Sequence, residues 1–418
     1  MSDGHDSGAM WRTKMVERLA EERGLTDPRV CAAMLQVPRH VFLPGVDLAE
    51  AYADNAVVTR YREGLPVSSA SQPAIVAVML EQLNPPIGGS VLEIGAGTGY
   101  NAALLSALVG PSGRVVTIDI DPGVAVEADS HLSEAGAANV EVICGDGASG
   151  WPERAPYDAI IVTAGASDLA PEWLSQLAPA GRLVVPLSIS GVQHCVTFAR
   201  ADGHLRSVAV CEAGFMPLTG AMANADIRLA VPGHPGVHVV AAPGTEVDAD
   251  LIAGGLEARG PAVPLGVAAS DFEAFGSLRR WLAFRDTVAA SLLYSGPDDG
   301  ARASGVPPVV EISVGGNVQL SSPCLLGSAG FAVLDVVRRA AVTGESGPVT
   351  MLELAVRSCG SADDEATRLV AQVKAWDAAG RPGADRLHID AYLSGTAMPE
   401  TDGSVHSAPH MTFVVSSG

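Results

Sequence analysis

A glycine-rich turn and two acidic residues further along the chain have the spacing of a nucleoside-binding site. The segment VLEIGAGTGY, residues 91–100, has glycines in the pattern G-x-G-x-G, with Glu93 two residues before the first. Asp119 ends the run RVVTID, 20 residues past Gly99, and Asp146 follows the run VEVIC. Glycines between a strand and a helix allow a tight turn and a close approach of the backbone to a ligand. These residues therefore predict a ligand site where three strands end.

The acids favour S-adenosylmethionine over a dinucleotide as the ligand. A dinucleotide fingerprint has the spacing G-x-G-x-x-G and binds a pyrophosphate, which a neighbouring carboxylate repels. Glu93 instead suits the ammonium group of a sulfonium amino acid, Asp119 suits a ribose diol, and Asp146 suits the adenine amino group. The alternative is that each acid follows an ordinary strand–helix turn. Their coincidence at three strand ends favours the nucleoside site.

Three serines precede this turn in the stretch LPVSSASQP. Ser71, followed by Gln72 and Pro73, has the pattern of a helix N-cap with proline in the first helical turn. Capping requires one serine, which leaves Ser68 and Ser69 unexplained. Because hydroxyls and the free N–H groups of a helix start are good donors to an anion, the segment predicts an anion-binding position beside the nucleoside site.

The hydrophobic pattern predicts the elements that would position these residues. Strand-like and helical runs alternate from residue 91 to residue 187, which indicates βαβ units and a parallel sheet. Helices are predicted before this region, over residues 11–35 and 74–83. An antiparallel hairpin with Asp202-Gly203 at its turn is predicted after it. The first half of the chain is therefore expected to be an α/β fold.

The character of the sequence changes after residue 220. Loops rich in proline and glycine separate the strand-like runs VHVVAAP, VVEISV, VTMLELAV, LHIDAYL and HMTFVV from helical runs at residues 277–294 and 364–380. We predict two domains, in which residues 1–222 contain the nucleoside site and residues 225–418 form a separate α/β or α+β domain for substrate recognition.

Composition excludes some classes of function. The chain has 418 residues and a formal net charge of −21, and so acidic a surface repels the phosphates of nucleic acids. No run predicts a membrane span or a secretion signal, so we expect a cytoplasmic protein. The six cysteines are scattered without C-x-x-C pairs, and the histidine pairs in HPGVH and HSAPH are separated by turn-forming residues. Neither pattern predicts a metal site.

Seven motifs follow one another along the first half of the chain: MLQVPRHVFLP, AYAD, SQP, VLEIGAGTGYNAALL, GDGASGWPERAPYDAIIVTAGA, LAPAGRLVVP and PLTG. In this order they resemble protein-L-isoaspartate O-methyltransferases, over about residues 10–222. The resemblance implies a Rossmann-like class I S-adenosylmethionine-dependent methyltransferase fold and a peptide carboxylate as the methyl acceptor. The residues then predicted to bind S-adenosylmethionine, or its product S-adenosylhomocysteine, are Ser68, Glu93, Gly95, Ala96, Gly97, Thr98, Gly99, Tyr100, Asp119, Ile120, Asp146, Gly147 and Thr219.

For the acceptor, the resemblance places Ser71 between the donor methyl group and the acceptor carboxylate, and Ser69 and Gln72 are predicted beside it. A peptide carboxylate has a pKa near 4, so it is ionised at neutral pH and needs no general base. The chain departs from the family in the residues just before Ser71 and in a loop that is about five residues longer than usual. Arg60 and Arg62 in that loop are predicted to contact the substrate, with a solvated loop as the alternative.

The C-terminal half resembles a long form of the family that occurs beside ribosomally made, modified peptides such as lanthipeptides, including the FxLD systems. The segment VKAWDAAGRPGADRLHIDAY and the histidine of the final strand carry this resemblance. It implies methylation of one aspartate in a modified or cyclised peptide, followed by loss of methanol to give a succinimide (aspartimide) or isoaspartate. The alternative is a general isoaspartate repair enzyme with an appended domain. A third possibility, a peptide-binding protein without catalysis, is disfavoured by the intact Glu93, Asp119, Asp146 and Ser71.

Overall fold

The computed structural model describes residues 3–62, 65–223, 226–314, 317–344 and 347–417 of the chain. The helices in these ranges are α1 Asp3–Arg23, α2 Pro28–Gln36, α3 Leu48–Ala51, α4 Pro73–Leu83, α5 Tyr100–Val109, α6 Pro122–Glu134, α7 Pro171–Gln176, α8 Ala249–Glu257, α9 Asp271–Glu273, α10 Arg279–Arg285, α11 Asp298–Ala303 and α12 Asp363–Ala378, with a π-helical turn Ala274–Leu278 joining α9 to α10. The strands are β1 Val57–Arg62, β2 Leu65–Ala70, β3 Ser90–Ile94, β4 Arg114–Asp119, β5 Val140–Cys144, β6 Tyr157–Val162, β7 Leu177–Ile189, β8 Val192–Ala201, β9 His204–Glu212, β10 Ile227–Ala230, β11 Val237–Ala241, β12 Val263–Ser270, β13 Ala289–Pro297, β14 Val310–Val314, β15 Asn317–Leu326, β16 Gly330–Gly344, β17 Gly347–Gly360, β18 Leu387–Leu393, β19 Ser404–Ser407 and β20 Met411–Ser417.

The first sheet has ten strands in the order β19-β20-β18-β9-β8-β7-β6-β3-β4-β5. Strands β5, β4, β3, β6 and β7 are parallel, and β7, β8 and β9 continue as an antiparallel meander. Strand β3 is buried along its whole length, as expected for a central parallel strand that is covered on both faces. The predicted Rossmann-like class I fold with a mainly parallel core is therefore confirmed.

The helices that precede the sheet form as the sequence predicts. Asp27 caps α2, because its carboxylate accepts the N–H of Arg29 at 2.7 Å. Helix α4 ends at Leu83, and its C-cap Asn84 takes the left-handed conformation with φ of 46°. These helices bury apolar side chains such as Met34 and Leu80 in the core on one face of the sheet, where α2 packs against α5 and α4 packs against β7.

The second sheet has eight strands and is antiparallel. Its order is β10-β11-β13-β15-β16-β17-β12, with β14 added against β15. Helix α12 packs on this sheet and buries Trp376 completely. The prediction of one helix over residues 277–294 is wrong in its second half, since α10 ends at Arg285 and the chain continues as β13. The run AASLLY is a buried central strand, and a short apolar run does not distinguish such a strand from a helix.

The last three strands return to the first sheet. Strand β18 pairs with β9 through Asp390 opposite Arg206 and Ala391 opposite Leu205, and β20 pairs with β18. Phe413 of β20 is buried in the same core as the parallel strands. Residues 387–417 therefore complete the first sheet, whereas the predicted division into residues 1–222 and 225–418 placed them in the second domain. Residues 224 and 225, where the second domain was predicted to begin, lie outside the described residues.

The segment before α4 is a hairpin. Strands β1 and β2 pair antiparallel from Val57 opposite Ala70 to Arg62 opposite Leu65, with register shifts on either side of Arg60. The sequence predicted a loop here, because the segment lacks a regular alternation of apolar and polar residues. Of the helices that the structure describes, none is long and apolar enough to cross a membrane.

Candidate active site

A cavity of about 1000 Å³ opens at the carboxyl ends of β3 and β4. The hairpin β1–β2 covers one side of it, and the segment between β9 and β10 forms another. The turn between α9 and α10, from the second half of the chain, completes the wall. Ligands of open α/β sheets bind at this edge, so the cavity lies where the fold places a ligand site.

The glycine-rich turn brings the backbone to the cavity wall. Gly95 has φ of +102°, and a Cβ atom there would lie 2.6 Å from Thr163 Oγ1. A larger residue would therefore clash with the end of β6 and adopt a strained conformation. Gly97 also faces the cavity and donates its N–H to Asp119 Oδ2 at 3.1 Å. The turn and Asp119 are thus held together as one unit.

Glu93 is a fully buried carboxylate in the wall of the cavity, with an exposed fraction of 0%. Its Oε1 accepts the side-chain amide of Asn101 at 2.8 Å, and its Oε2 accepts the hydroxyl of Thr117 at 2.6 Å. Burial raises the pKa of Glu93 from 4.5 to about 7, although both hydrogen bonds oppose the rise. A cation bound in the cavity would relieve this penalty.

Asp119 ends β4 and is the second acid of the cavity. Its two oxygens accept the backbone N–H groups of Gly97 and Asp121, each at 3.1 Å. Burial raises its pKa, while these hydrogen bonds lower it. Because each carboxylate oxygen can accept a further hydrogen bond, Asp119 retains the capacity to bind ligand hydroxyls.

Asp146 lies next to the cavity wall rather than in it, and its predicted contact with adenine stays a prediction. Its Oδ1 accepts the N–H of Ala148 at 2.9 Å, and its Oδ2 accepts the N–H of Ala221 at 2.8 Å. Asp146 thereby holds the loop that contains Thr219, and its neighbour Gly147 faces the cavity. Gly99 is also outside the wall, because it packs against the Ala128 carbonyl at α6.

The remaining eleven residues predicted to bind the donor all line this one cavity. They are Ser68, Glu93, Gly95, Ala96, Gly97, Thr98, Tyr100, Asp119, Ile120, Gly147 and Thr219.

The predicted acceptor residues Ser69, Ser71 and Gln72 line the same cavity. The N-cap of α4 is Gln72 rather than the predicted Ser71, and its side chain makes no capping hydrogen bond. Asp54 takes over that role, because its Oδ1 accepts the N–H of Ala74 at 2.9 Å. Its Oδ2 accepts the side-chain amide of Gln72 at 3.0 Å. The Ser71 hydroxyl is therefore not needed to cap the helix.

Arg39 fixes the backbone beside these serines. Its side chain is fully buried, its Nε donates to the carbonyl of Ala51 at 2.9 Å, and its Nη2 donates to the carbonyl of Ser71 at 2.9 Å. The guanidinium carbon lies 4.8 Å from the centre of the Tyr100 ring. Sequence analysis assigned no role to Arg39 or to Asp54, although both belong to quoted motifs, VPRHVF and AYAD. The available signal was a charged arginine within an apolar stretch, because a buried charge needs hydrogen-bond partners.

Arg60 and Arg62 are in the cavity wall, and both form ion pairs. Each donates to Asp121 at 3.0 Å, and Arg60 also donates to Glu127 at 2.8 Å. These pairs fasten the hairpin to the start of α6, next to Asp119. The predicted contact of both arginines with substrate stays a prediction, and the structure adds their role in holding the hairpin.

The second half of the chain contributes Phe272, Phe275 and Arg279 to the cavity wall. Sequence analysis did not find them, because the helical run around them has the pattern of an ordinary core helix. Among the described residues, no group of three or more His, Cys, Asp and Glu side chains is arranged to hold a metal ion.

Comparison with known proteins gives one consistent relationship. A family model described as protein-L-isoaspartate(D-aspartate) O-methyltransferase matches residues 10–223. The protein-L-isoaspartate O-methyltransferase of Methanoregula boonei is 43% identical over 212 residues, which are 50% of this chain and 93% of that protein. The protein-L-isoaspartate O-methyltransferase 1 of Rhodopseudomonas palustris is 40% identical over 222 residues, which are 53% of this chain and 87% of that protein.

Solved structures are less similar. One protein-L-isoaspartate O-methyltransferase structure aligns with 91% of this chain and 96% of its own, at 23% identity and a TM-score of 0.49. The beta-aspartate methyltransferase (PCMT) from Plasmodium falciparum, in complex with S-adenosyl-L-homocysteine, aligns with 50% of this chain and 98% of its own, at 20% identity and a TM-score of 0.44.

Proposed function

The chain belongs to the protein-L-isoaspartate(D-aspartate) O-methyltransferase family, and from this premise we propose that it methylates a carboxylate of isoaspartyl residues in peptides or proteins. Members of this family use S-adenosylmethionine as the donor, and this chain is an S-adenosylmethionine-dependent carboxyl methyltransferase. One observation supports the acceptor most directly. Ser69, Ser71 and the start of α4 line the same cavity as Glu93 and Asp119.

The residues present fit the donor. Glu93 is a buried carboxylate with a raised pKa, which an ammonium group would stabilise, and Asp119 has capacity for ribose hydroxyls. Gly95 and Gly97 leave room for a ligand against the backbone. When bound, S-adenosylmethionine supplies a methyl group on a positively charged sulfur.

The protein's part in the reaction is to hold the acceptor rather than to activate it. An acceptor carboxylate is ionised at neutral pH, so no general base is required. The hydroxyls of Ser69 and Ser71 can donate hydrogen bonds to one of its oxygens and direct the other toward the methyl group. A strong cation at this position would stabilise the ground state, whose negative charge is lost in the transition state. Arg39 and Asp54 keep this segment in place by binding its backbone.

The chemical type of the product tests this proposal. We expect label from methyl-labelled donor to appear in an isoaspartyl hexapeptide and to become volatile as methanol after mild base. Carboxyl esters have this lability, whereas methyl groups on nitrogen or sulfur do not. Base-stable label would contradict carboxyl transfer, and absence of label with a protein that binds the donor would contradict methyl transfer to this acceptor.

A second candidate is methylation of one particular aspartate in a modified or cyclised ribosomal peptide, ending in a succinimide. The observation in its favour is that Phe272, Phe275 and Arg279 extend the cavity with residues outside the matched region. A dedicated peptide would make use of such an additional wall. The discriminating experiment compares a generic isoaspartyl hexapeptide with a peptide encoded beside this gene. Efficient methylation of the hexapeptide favours general repair, and methylation of an aspartate in the encoded peptide alone favours the second candidate.

A further inference from the structure

Four arginines line the cavity, and one of them differs from the rest. Among the described residues, three of the four form ion pairs with acids, and Arg279 forms none. The ion pairs are Arg23 with Asp54, Arg60 with Asp121 and Glu127, and Arg62 with Asp121.

The hydrogen bonds of Arg279 leave several of its N–H donors available to a ligand. Its Nη2 donates to the carbonyl of Gly191 at 2.6 Å, which is a neutral acceptor. Burial lowers the pKa of Arg279, while the charges of Asp226 and Glu212 act in the opposite direction. Glu212 is already in an ion pair with the neighbouring Arg280. An anion that enters the cavity would therefore find Arg279 with hydrogen-bond donors to spare.

Two aromatic side chains line the cavity together with Arg279. Phe272 has an exposed fraction of 70% and Phe275 of 41%, and both line the cavity. The guanidinium carbon of Arg279 is 6.0 Å from the centre of the Phe275 ring. Phenylalanine and arginine are both enriched in protein–protein interfaces, so this part of the wall has the composition of a peptide-binding surface.

We propose that Arg279 binds a second carboxylate of the acceptor peptide, distinct from the one that is methylated, while Phe272 and Phe275 contact a large apolar side chain beside it. The preferred acceptor is then an acidic and apolar segment around the modified residue. The proposal rests on the proposed function, since it takes the peptide that enters this cavity to be the methyl acceptor. It makes Arg279 a specificity-determining residue supplied by the second half of the chain.

Charge complementarity supports a carboxylate over other peptide groups. The acids of the wall are Glu93, Asp119, Asp121 and Glu212, of which the first two are expected to serve the donor. The last two are paired with arginines. A basic peptide side chain would meet Arg279 as a like charge, which is unfavourable. An acidic side chain would gain a charge-assisted hydrogen bond.

The test measures peptide binding to the full chain saturated with S-adenosylhomocysteine. The probes are isoaspartyl hexapeptides that contain leucine and differ only in Glu, Gln or Lys next to the isoaspartyl residue. We expect the Glu peptide to bind about ten- to a hundredfold more tightly than the Gln peptide, the range for a hydrogen bond between charged groups. Arg279→Gln should remove this difference. Equal affinity of the parent protein for the Glu and Gln peptides would overturn the proposal.

Two further variants separate specificity from folding. Arg285→Gln is the control, because Arg285 is an exposed arginine of α10 outside the cavity wall, with its guanidinium carbon 3.5 Å from the centre of the Trp281 ring. The preference for the Glu peptide should persist in this variant. Arg279→Glu should reverse the preference in favour of the Lys peptide, which an unfolded protein could not do. Loss of the preference in Arg285→Gln, or no reversal in Arg279→Glu, would count against the assignment.

The apolar part of the proposal has its own comparison. Replacing leucine by alanine in the Glu peptide should weaken its binding to the parent protein several-fold. The same replacement should weaken binding to the Phe272→Ala variant much less. An equal effect in both proteins would remove Phe272 from the peptide site. Methyl transfer is recorded on the same peptides, so the two proposals can fail separately. Selective binding without transfer would contradict the proposed function alone, and transfer without selectivity would contradict the role of Arg279 alone.

Discussion

The buried carboxylate of Glu93 offers a quantitative test of the donor site through pH. In the free protein its pKa is about 7, so it holds a proton over much of the mildly acidic range. An ammonium group bound beside it would favour the ionised form and lower this pKa. Below pH 7, donor binding must therefore displace the proton from Glu93, and the apparent affinity must fall as the pH falls.

The magnitude follows from the pKa. If the pKa in the complex is below 5, the affinity for S-adenosylhomocysteine should be about tenfold weaker at pH 6 and about a hundredfold weaker at pH 5 than its value above pH 7.

The same shift in the pKa of Glu93 affects the stability of the ligand-free protein. Since the folded-state pKa lies above the unfolded value of 4.5, the contribution of Glu93 to stability is fully present below pH 4.5 and is lost as the pH rises to 7. The loss is about 3 kcal/mol.

Titration calorimetry between pH 5 and pH 8, in buffers with different ionisation enthalpies, gives both the affinity and the number of protons released. The Glu93→Gln variant is the reference, because it keeps the volume of the side chain and removes its charge and titration. We expect weaker binding above pH 7 and the loss of the pH dependence. A pH-independent affinity in the parent protein, or the same pH dependence in Glu93→Gln, would refute the contact between Glu93 and the ammonium group.

Three further predictions concern other parts of the molecule. Asp119→Ala should weaken donor binding at least tenfold without unfolding the protein, because nucleoside hydroxyls lose their acceptor, and unchanged affinity in calorimetry would remove Asp119 from the site. Ser71→Ala should lower turnover far more than donor affinity, and steady-state kinetics with equal loss of both would place this hydroxyl in the donor site instead. Phe413→Ala should destabilise the first sheet by about 3–5 kcal/mol in urea denaturation, since Phe413 is 2% exposed, and a loss below about 1 kcal/mol would mean that β20 is not integral to that sheet.

The parallel core of the fold could be predicted because its signals are local. Each strand from β3 to β6 is a short apolar run bounded by glycine or acidic residues, and the helices between them have their own caps. Asp121 illustrates this point, because its carboxylate accepts the N–H groups of Gly123 and Val124 at the start of α6. Such contacts depend on residues a few positions apart, which a sequence pattern displays.

The parts that were not predicted depend on long-range pairing. Strand β18 joins β9 across about 180 residues of chain, and the apolar alternation of LHIDAYL does not indicate which sheet it joins. The hairpin β1–β2 is fastened by ion pairs from Arg60 and Arg62 to α6, which the sequence places about 60 residues away. Sequence patterns give the type of an element more readily than its partner.

The same distinction applies to the site. Glu93 and Asp119 line the cavity, a position that could be predicted because they occupy strand ends next to the glycine-rich turn. Asp146 occupies the equivalent place, and the structure adds a hydrogen bond from the Ala221 N–H to one of its oxygens, which the sequence did not indicate. Arg279 reaches the cavity only because the second half of the chain packs beside the turn at Gly191. The hydrogen bond of Asp146 and the position of Arg279 both follow from tertiary packing, which a local sequence pattern does not display.

The most direct test of the central claim is mass spectrometry of two hexapeptides that are identical except for isoaspartate or aspartate at one position. Each is incubated with the full chain and S-adenosylmethionine. We expect a gain of about 14 Da on the isoaspartyl peptide, followed by a species about 18 Da lighter than the starting peptide as the ester loses methanol to form the succinimide. The aspartyl peptide should remain unchanged. No gain on the isoaspartyl peptide, from a protein shown to bind the donor, would contradict isoaspartyl carboxyl methylation.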